Sequence, residues 1–195
     1  MPETSASLLG RLIEQPDSES WERFNQLYRP FLKSHLERHY SLQPNDADDV
    51  TQDVLLVVIR RVQEFRHSGR RGAFRSWLRT ITANQIRAFW RQKRSQPVGT
   101  GDSEVMSKLD QLEDPTSAMS QLWDLEHDRH VLGQLLSSIE PEFKPKTWQA
   151  FLRLMKDGVP AAEVAQEFGM TLEAVYVAKS KIMRRLRELK DGLTD

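Results

Sequence analysis

The feature of this sequence that most restricts its fold is the spacing of its apolar residues, which recur every three or four positions. One such series begins at Trp21 and Phe24, and another begins at Leu122 and Leu125. This spacing gathers apolar side chains on one face of an α-helix, whereas a half-buried strand needs strict alternation. The valine-rich residues 50–58 follow the helical spacing as well. The sequence therefore predicts an all-α protein.

Residues that cap or interrupt helices predict where the helices begin and end. Ser18 or Ser20 is expected to cap the first long helix, and Asn45 the next one. Two glycines within residues 66–72 indicate a loop, after which a helix is expected from about Ala73 to Arg94.

Composition divides the chain into three parts. We expect a small N-terminal helical bundle at 1–95, an acidic flexible linker at 96–117, and a C-terminal four-helix domain at 118–195. The linker is opened by Pro97, Gly99 and Gly101 and shows little periodicity. It is expected to bury too little apolar surface to offset the entropy of ordering it.

The charges are separated along the chain although they sum to zero. Between Arg60 and Arg94, 11 basic residues accompany one acid, Glu64, whereas between Asp102 and Asp128, 8 acids accompany Lys108 alone. The last helix is basic again. Such basic blocks indicate contact with a polyanion.

Several classes of protein are disfavoured. The chain has no cysteine for disulfides or thiolate metal sites. No apolar run reaches the roughly 18 residues of a membrane helix, and residues 1–5 do not resemble a signal peptide. His35 and His39 are one helical turn apart, but no third metal ligand is evident. We expect a cytoplasmic protein with no membrane insertion, no catalytic residues, no bound metal and no cofactor.

The spacing between Ala161 and Leu186 predicts a helix-turn-helix. Gly169 permits the turn, Thr171 can cap the second helix, and Val175 can pack between the two helices. The inner face of the second helix is predicted to carry Leu172, Val175, Ile182, Leu186 and Leu189. Its outward face is predicted to carry Glu173, Ala174, Tyr176, Val177, Ser180, Lys181, Arg184 and Arg185. An ordinary helical hairpin with a basic, solvated face is the alternative.

The segment from Phe65 to Arg94 mixes arginines with aromatic residues, a combination suited to unpaired nucleic acid because rings stack on bases and arginines hold the backbone. Phe74, Trp77 and Phe89 are more simply explained as core residues. His127 and His130, in an acidic stretch, are expected at the surface.

Four acids, Asp46, Asp48, Asp49 and Asp53, lie close together. They could suggest a metal-dependent nuclease or recombinase, but the dipole of one helix N-terminus accounts for most of them.

Three segments together resemble extracytoplasmic-function (ECF) sigma factors of the sigma-70 superfamily. Residues 46–65 (DADDVTQDVLLVVIRRVQEF) resemble that family's second conserved region. Residues 74–84 (FRSWLRTITAN) resemble the helix that follows it. Residues 161–186 resemble the fourth-region helix-turn-helix. Pro160 departs from the family's usual Ser or Thr helix cap.

The resemblance implies a non-enzymatic promoter-reading subunit whose partners are core RNA polymerase, promoter DNA and an anti-sigma factor. It implies that polymerase is bound by Asp46, Asp49, Gln52 and Asp53. It implies that the melted −10 element is bound by Phe65, Arg66, Arg70, Arg71, Arg75, Asn84, Arg87, Arg91 and Arg94. It implies that the −35 element is bound by Thr171, Glu173, Ala174, Tyr176, Val177, Ser180, Lys181, Arg184 and Arg185. The alternative is a stand-alone helix-turn-helix regulator with an N-terminal sensing or dimerising domain.

Overall fold

The computed structural model describes residues 8–66, 72–94 and 102–191, and within these ranges every regular element is helical. The predicted all-α class is therefore confirmed. The helices are α1 (Leu8–Glu14), α2 (Ser18–Tyr40), α3 (Pro44–Arg61), α4 (Ala73–Arg94), α5 (Asp102–Glu113), α6 (Ala118–Ile139), α7 (Pro145–Met155), α8 (Ala161–Glu167) and α9 (Leu172–Asp191). None of the helices in the described ranges is long and apolar enough to cross a membrane.

Two predicted helix caps were wrong. The carboxylate of Asp17, rather than a serine, caps α2 by accepting the backbone N–H of Ser20 at 2.6 Å. Helix α3 begins one residue before Asn45, at Pro44, and no side chain caps it. Proline suits the first helical position because its ring presets φ and it has no N–H that needs a partner.

Contacts divide the described residues into two units, with the boundary between Val131 and Leu132, inside α6. In the first unit α2 packs on α3, α3 on α4, and α4 on α5. The core of this unit is rich in aromatic side chains. Phe24, Phe31, Phe74 and Trp123 are all buried, and the ring centroids of Phe31 and Trp123 lie 4.8 Å apart.

The segment predicted to be a flexible linker contains a packed helix. Val105, Leu109 and Leu112 of α5 are buried, and α5 lies against α4. Their spacing of four and three residues forms one apolar stripe, which the acidic composition of the segment obscured. Residues 95–101 lie outside the described ranges.

The apolar face of α6 also differs from the prediction. The apolar positions predicted for this helix were Leu122, Leu125, Val131, Leu132, Leu135, Leu136 and Ile139. Val131, Leu135 and Ile139 are buried, but Leu125 and Leu132 are exposed, and Trp123 and His127 are buried as well. The prediction placed His127 at the surface, but only 4% of it is exposed. Aromatic partners on α2 explain this, because the ring of His127 lies 5.5 Å from that of Phe31.

The second unit holds the predicted helix-turn-helix, formed by α8 and α9. Gly169 adopts a left-handed φ of 53° at the turn, which glycine tolerates without strain. The hydroxyl of Thr171 accepts the backbone N–H of Ala174 at 3.1 Å, so the predicted cap is confirmed. Ala150, Val164, Ala165 and Val175 form a buried cluster that joins α7, α8 and α9.

One apolar position of α9 was predicted wrongly. Leu172 is 46% exposed and does not join Val175, Ile182 and Leu186 in the core. It lies in the first turn of α9, directly after the cap, and there it extends the outer surface.

Candidate nucleic-acid interface

The acidic residues of α3 do not form one cluster. Asp49, Gln52 and Asp53 are exposed, and their spacing of three and four residues places them on one face of the helix. Asp46 accepts a hydrogen bond from Lys93 of α4 at 2.8 Å. Asp48 is held by α2, where a hydrogen bond from Lys33 is the main cause of its lowered pKa. The exposed face of α3 is therefore free to contact another molecule.

The arginines of α4 are largely paired with acids from α5 and α6. Arg75 lies 3.1 Å from Asp124 and 2.5 Å from Asp128. Arg87 pairs with Asp110 at 2.9 Å and with Glu113, and the hydrogen bond to Glu113 is the main cause of its raised pKa.

Arg79 belongs to the basic block that the sequence predicted to contact a polyanion, but it does not reach the surface. Its side chain is buried and lies 3.4 Å from Asp124, the carboxylate that Arg75 also contacts.

A recess of about 270 Å³ opens between α3 and α4. Arg60, Arg61 and Asn84 supply its polar lining, and Val57 and Ile81 supply apolar surface. This volume lies below the roughly 300–1,000 Å³ of drug-sized sites, and it suits one flat group with polar edges.

Other residues predicted to bind the −10 element are less uniform in position. Phe65 is buried edge-on against Phe74, with ring centroids 5.7 Å apart, so it is a core residue in this structure. Arg66 and Arg91 are exposed. Arg70 and Arg71 lie outside the described residues, and the side chain of Arg94 is not described.

The aromatic residues of the basic segment are divided between core and surface. Phe74 is buried, whereas Trp77, Phe89 and Trp90 are partly exposed. The ammonium group of Lys93 lies 5.1 Å from the ring centroid of Phe89 and 5.7 Å from that of Trp90.

Helix α9 presents the outward face that the sequence predicted. Thr171, Glu173, Tyr176, Val177, Ser180, Lys181 and Arg184 are exposed, and Ala174 and Arg185 are half-buried. Arg185 makes a two-pronged ion pair with Glu142, which lowers the pKa of Glu142 mainly through the hydrogen bond. Arg185 is therefore held against its own unit.

Three side chains that the sequence did not bring together meet in the first unit. Nδ1 of His35 lies 2.7 Å from Glu126 Oε2, and Nε2 of His39 lies 3.0 Å from Glu126 Oε1. The sequence showed the two histidines but not the carboxylate, which follows His39 by 87 residues and has no local signal.

Burial sets the protonation of this group. It lowers the pKa of His35 to about 4, although the hydrogen bond to Glu126 acts in the opposite direction. Burial alone would raise the pKa of Glu126, but hydrogen bonds from His35 and His39 outweigh it, and the net pKa is lowered. At neutral pH a neutral His35 therefore donates to an ionised Glu126.

The fold and these surfaces define a class of protein: an all-helical protein with an arginine-rich helix, α4, in its first unit and a helix-turn-helix in its second. Residues 25–96 match the family model described as Sigma-70 region 2. The chain is also 26% identical over 202 residues to the ECF RNA polymerase sigma factor SigE of Mycolicibacterium smegmatis, an alignment that covers 97% of this chain and 68% of that protein.

The match over residues 25–96 and the alignment over most of the chain together support an ECF member of the sigma-70 family, an RNA polymerase sigma factor that directs transcription initiation. Membership of this family implies binding to core RNA polymerase and to promoter DNA. The matched residues 25–96 include α3 and α4, whereas the helix-turn-helix lies outside that match and rests on its own geometry.

Proposed function

We propose that the two parts of the chain divide promoter recognition between them. The N-terminal domain, 1–95, would bind core polymerase and the melted −10 element, and the C-terminal domain, 118–195, would read the −35 element as duplex. Residues 96–117 would join the two functional domains, although in the free chain α5 packs on α4 and residues 118–131 of α6 belong to the first unit. The protein would act in the cytoplasm without catalysing a reaction of its own.

Polymerase binding is assigned to α3. Asp49, Gln52 and Asp53 share one exposed face, which is suited to a basic partner surface. Asp46 completes the predicted set but is paired with Lys93, so this ion pair would have to be exchanged on binding.

The single observation that carries the −10 assignment is the recess beside Asn84. A base turned out of the stack needs a pocket of its own size, with polar groups for its edge and apolar surface for its face. Asn84 supplies both a donor and an acceptor, and Val57 and Ile81 supply the apolar surface. Arg60 and Arg61 line the same recess and can contact the adjoining phosphates. Arg66, Arg75, Arg87 and Arg91 would extend this contact along the strand.

The −35 assignment rests on α9. In a helix-turn-helix the first turns of the second helix reach base edges, and later positions contact phosphates. Glu173, Tyr176 and Val177 would therefore read bases, whereas Lys181 and Arg184 would contact the backbone. Because Arg185 is engaged with Glu142, it would contribute only after that ion pair opens.

The acids of α5 and α6 add a further step to the same function. Asp110, Glu113, Asp124 and Asp128 pair with the arginines that would hold the −10 strand. These carboxylates occupy the positions that phosphates would take, so in the free chain they would compete with DNA. Binding to polymerase would have to displace them.

An anti-sigma partner is proposed on similar grounds. A partner that stabilises the paired state of α4 would keep the chain from DNA without covering every contact. Purification of the chain from its native cells should then recover a protein other than the polymerase subunits, and recovery of polymerase subunits alone would contradict this part.

The test of the proposed function is transcription by sigma-free core polymerase from a library of random upstream sequences, with the purified chain added. We expect enrichment of a −35 and −10 pair at fixed spacing. Asn84→Ala should relax selection at the −10 position alone, and Tyr176→Ala should relax it within the −35 element alone. Absence of core-dependent transcription by the folded chain would contradict the assignment. A palindromic site bound tightly by the chain alone would favour a stand-alone regulator.

A further inference from the structure

His35, His39 and Glu126 bring three potential metal ligands to one place. His35 and His39 are four residues apart on α2 and therefore share one face of that helix. Glu126 of α6 lies opposite them, with each carboxylate oxygen within hydrogen-bond distance of one imidazole nitrogen. One ligand atom from each of the three residues can be chosen so that all three atoms lie within 4.8 Å of one another.

We propose that His35, His39 and Glu126 form a binding site for a divalent transition-metal ion of the zinc type, with water as the fourth ligand. Two imidazole nitrogens and one carboxylate oxygen are a ligand set that zinc accepts in tetrahedral sites. Calcium and magnesium prefer oxygen ligands throughout, so this set does not suit them.

The observed distances are compatible with such a site. Zinc bonds of about 2.0–2.2 Å place tetrahedral ligand atoms roughly 3.3–3.6 Å apart. The two nitrogen–oxygen contacts, 2.7 and 3.0 Å, use different oxygens of Glu126, and one ligand atom from each of the three residues lies within 4.8 Å of the others. A rotation of the Glu126 carboxylate that brings one oxygen close to both nitrogens would therefore admit the ion.

Access from solvent and the surrounding charges set the expected strength of binding. The His35 side chain is fully buried, whereas 19% of the His39 side chain is exposed and gives water a path to the ion. Arg38 lies 3.0 Å from Glu126 Oε1, where it orients the carboxylate but repels a cation. Coordination through Nδ1 of His35 also puts the ring proton on Nε2, which has no partner among the described residues. We therefore expect micromolar rather than nanomolar affinity.

A bound ion would fasten α6 to α2. The ion would replace two hydrogen bonds with coordinate bonds. These bonds would join residues of α2 and α6 that are 87 and 91 positions apart in sequence. Since the ion binds the folded chain and not the unfolded one, it would raise the melting temperature.

The experiment uses the full chain without a histidine tag, stripped of metal and titrated with Zn²⁺ in competition with a chromophoric chelator. We expect one equivalent to bind and the melting temperature to rise with added Zn²⁺. With Co²⁺ in place of Zn²⁺, we expect the visible absorption of a tetrahedral ion.

His39→Gln is the decisive variant, because His39 lies at the edge of the cluster and its loss should leave the fold intact. It should weaken binding on the order of 10- to 100-fold, as should Glu126→Gln. His130→Gln is the matched control, since His130 binds the backbone oxygen of Leu27 and is not part of the cluster. The proposal is overturned if the chain binds no stoichiometric Zn²⁺, or if His39→Gln and His130→Gln bind it equally.

Discussion

The two surfaces assigned to DNA differ in what already occupies them. On α4, Arg75, Arg79 and Arg87 each contact a carboxylate of α5 or α6. On α9, none of the ion pairs found among the described residues involves positions 171–181, and its paired arginines, Arg184 and Arg185, come later in the helix. One surface is therefore matched by acids of the same chain, and the other faces solvent over its base-reading turns.

This difference suggests how a neutral chain can contain two DNA-binding surfaces. Basic residues exposed on both units would bind DNA without regard to sequence, because phosphate contacts dominate affinity. Pairing the α4 arginines with internal acids removes much of that attraction in the free protein. Opening these ion pairs when DNA binds would require little free energy, because ion pairs near the surface contribute only about 0–1 kcal/mol each.

The largest expected effect comes from removing the side chain that anchors α6 in the first unit. Trp123 is fully buried against Phe31, so Trp123→Ala should lower the free energy of unfolding by about 3–5 kcal/mol. Leu125→Ala on the same helix is the control, because Leu125 is 48% exposed and should change stability by less than about 0.5 kcal/mol. Chemical denaturation measures both. Equal effects would show that α6 is not anchored as described.

Acidification should loosen the same contact. The pKa of His35 falls from 6.5 to about 4 on folding, so below pH 6.5 the unfolded chain binds a proton more readily. Stability is then full above pH 6.5 and decreases as the pH falls towards 4, by about 3 kcal/mol for this group. His39, Arg38 and Glu126 face it, and protonation of Glu126 adds a loss at lower pH because its pKa is also lowered.

Denaturation of the metal-free chain at several pH values measures this dependence. His127, whose pKa is lowered by burial as well, contributes in the same direction. In His35→Asn the slope between pH 6.5 and 4 should decrease even if the variant is less stable throughout. An unchanged slope would show that His35 is not the group that titrates.

A smaller effect is expected for Asn84→Ala, which changes the lining of the recess and should alter selection of the −10 sequence. Losing the contacts of one amide to a captured base should weaken selection at that position by about 1–3 kcal/mol, roughly a 5- to 150-fold drop in preference. Arg91→Ala, an exposed arginine of the same helix, should reduce transcription from all −10 sequences alike. Competition between promoters in one reaction separates the two outcomes, and equal loss of preference in both variants would count against the recess.

The smallest expected effect is on α9. Glu142→Gln would remove the shorter of the two ion pairs of Arg185 and leave the one with Glu188 at 3.5 Å. It should tighten binding to −35 duplex by less than about 1 kcal/mol, since the ion pair with Glu142 is exposed. Fluorescence anisotropy with polymerase-bound chain measures it. A large gain would mean that the second surface is also held back by its own acids.

Local signals in the sequence predicted the elements that depend on neighbouring residues. The spacing of apolar positions gave the helices, Gly169 gave the turn, and Thr171 gave the cap of α9. These features depend only on residues within one or two helical turns of each other, so they can be predicted from the local sequence.

Pairings over long distances could not be predicted in the same way. The acids of residues 96–117 suggested a solvated linker, because nothing in their spacing shows that Asp110 meets Arg87. Likewise, nothing in the spacing of the next helix shows that Asp124 meets Arg75 or that Glu126 meets His35. His127 looked like a surface residue for the same reason, since its aromatic partners lie on α2. The apolar stripe at Val105, Leu109 and Leu112 was the local signal that could have revealed α5.

The central claim is that acids of α6 compete with DNA for the arginines of α4. The most direct measurement is the affinity of the free chain for a fluorescent single-stranded oligonucleotide carrying the −10 sequence that the library selects. Asp124→Asn/Asp128→Asn removes both partners of Arg75 with little change of shape. Glu19→Gln/Glu22→Gln is the control, because it removes the same charge from exposed positions of α2.

We predict that the α6 variant binds the strand about fivefold or more tightly than the unaltered chain and the control at low salt, and that the gain fades as salt screens the charges. Equal affinity of the three proteins, with folding intact by circular dichroism, would contradict the claim.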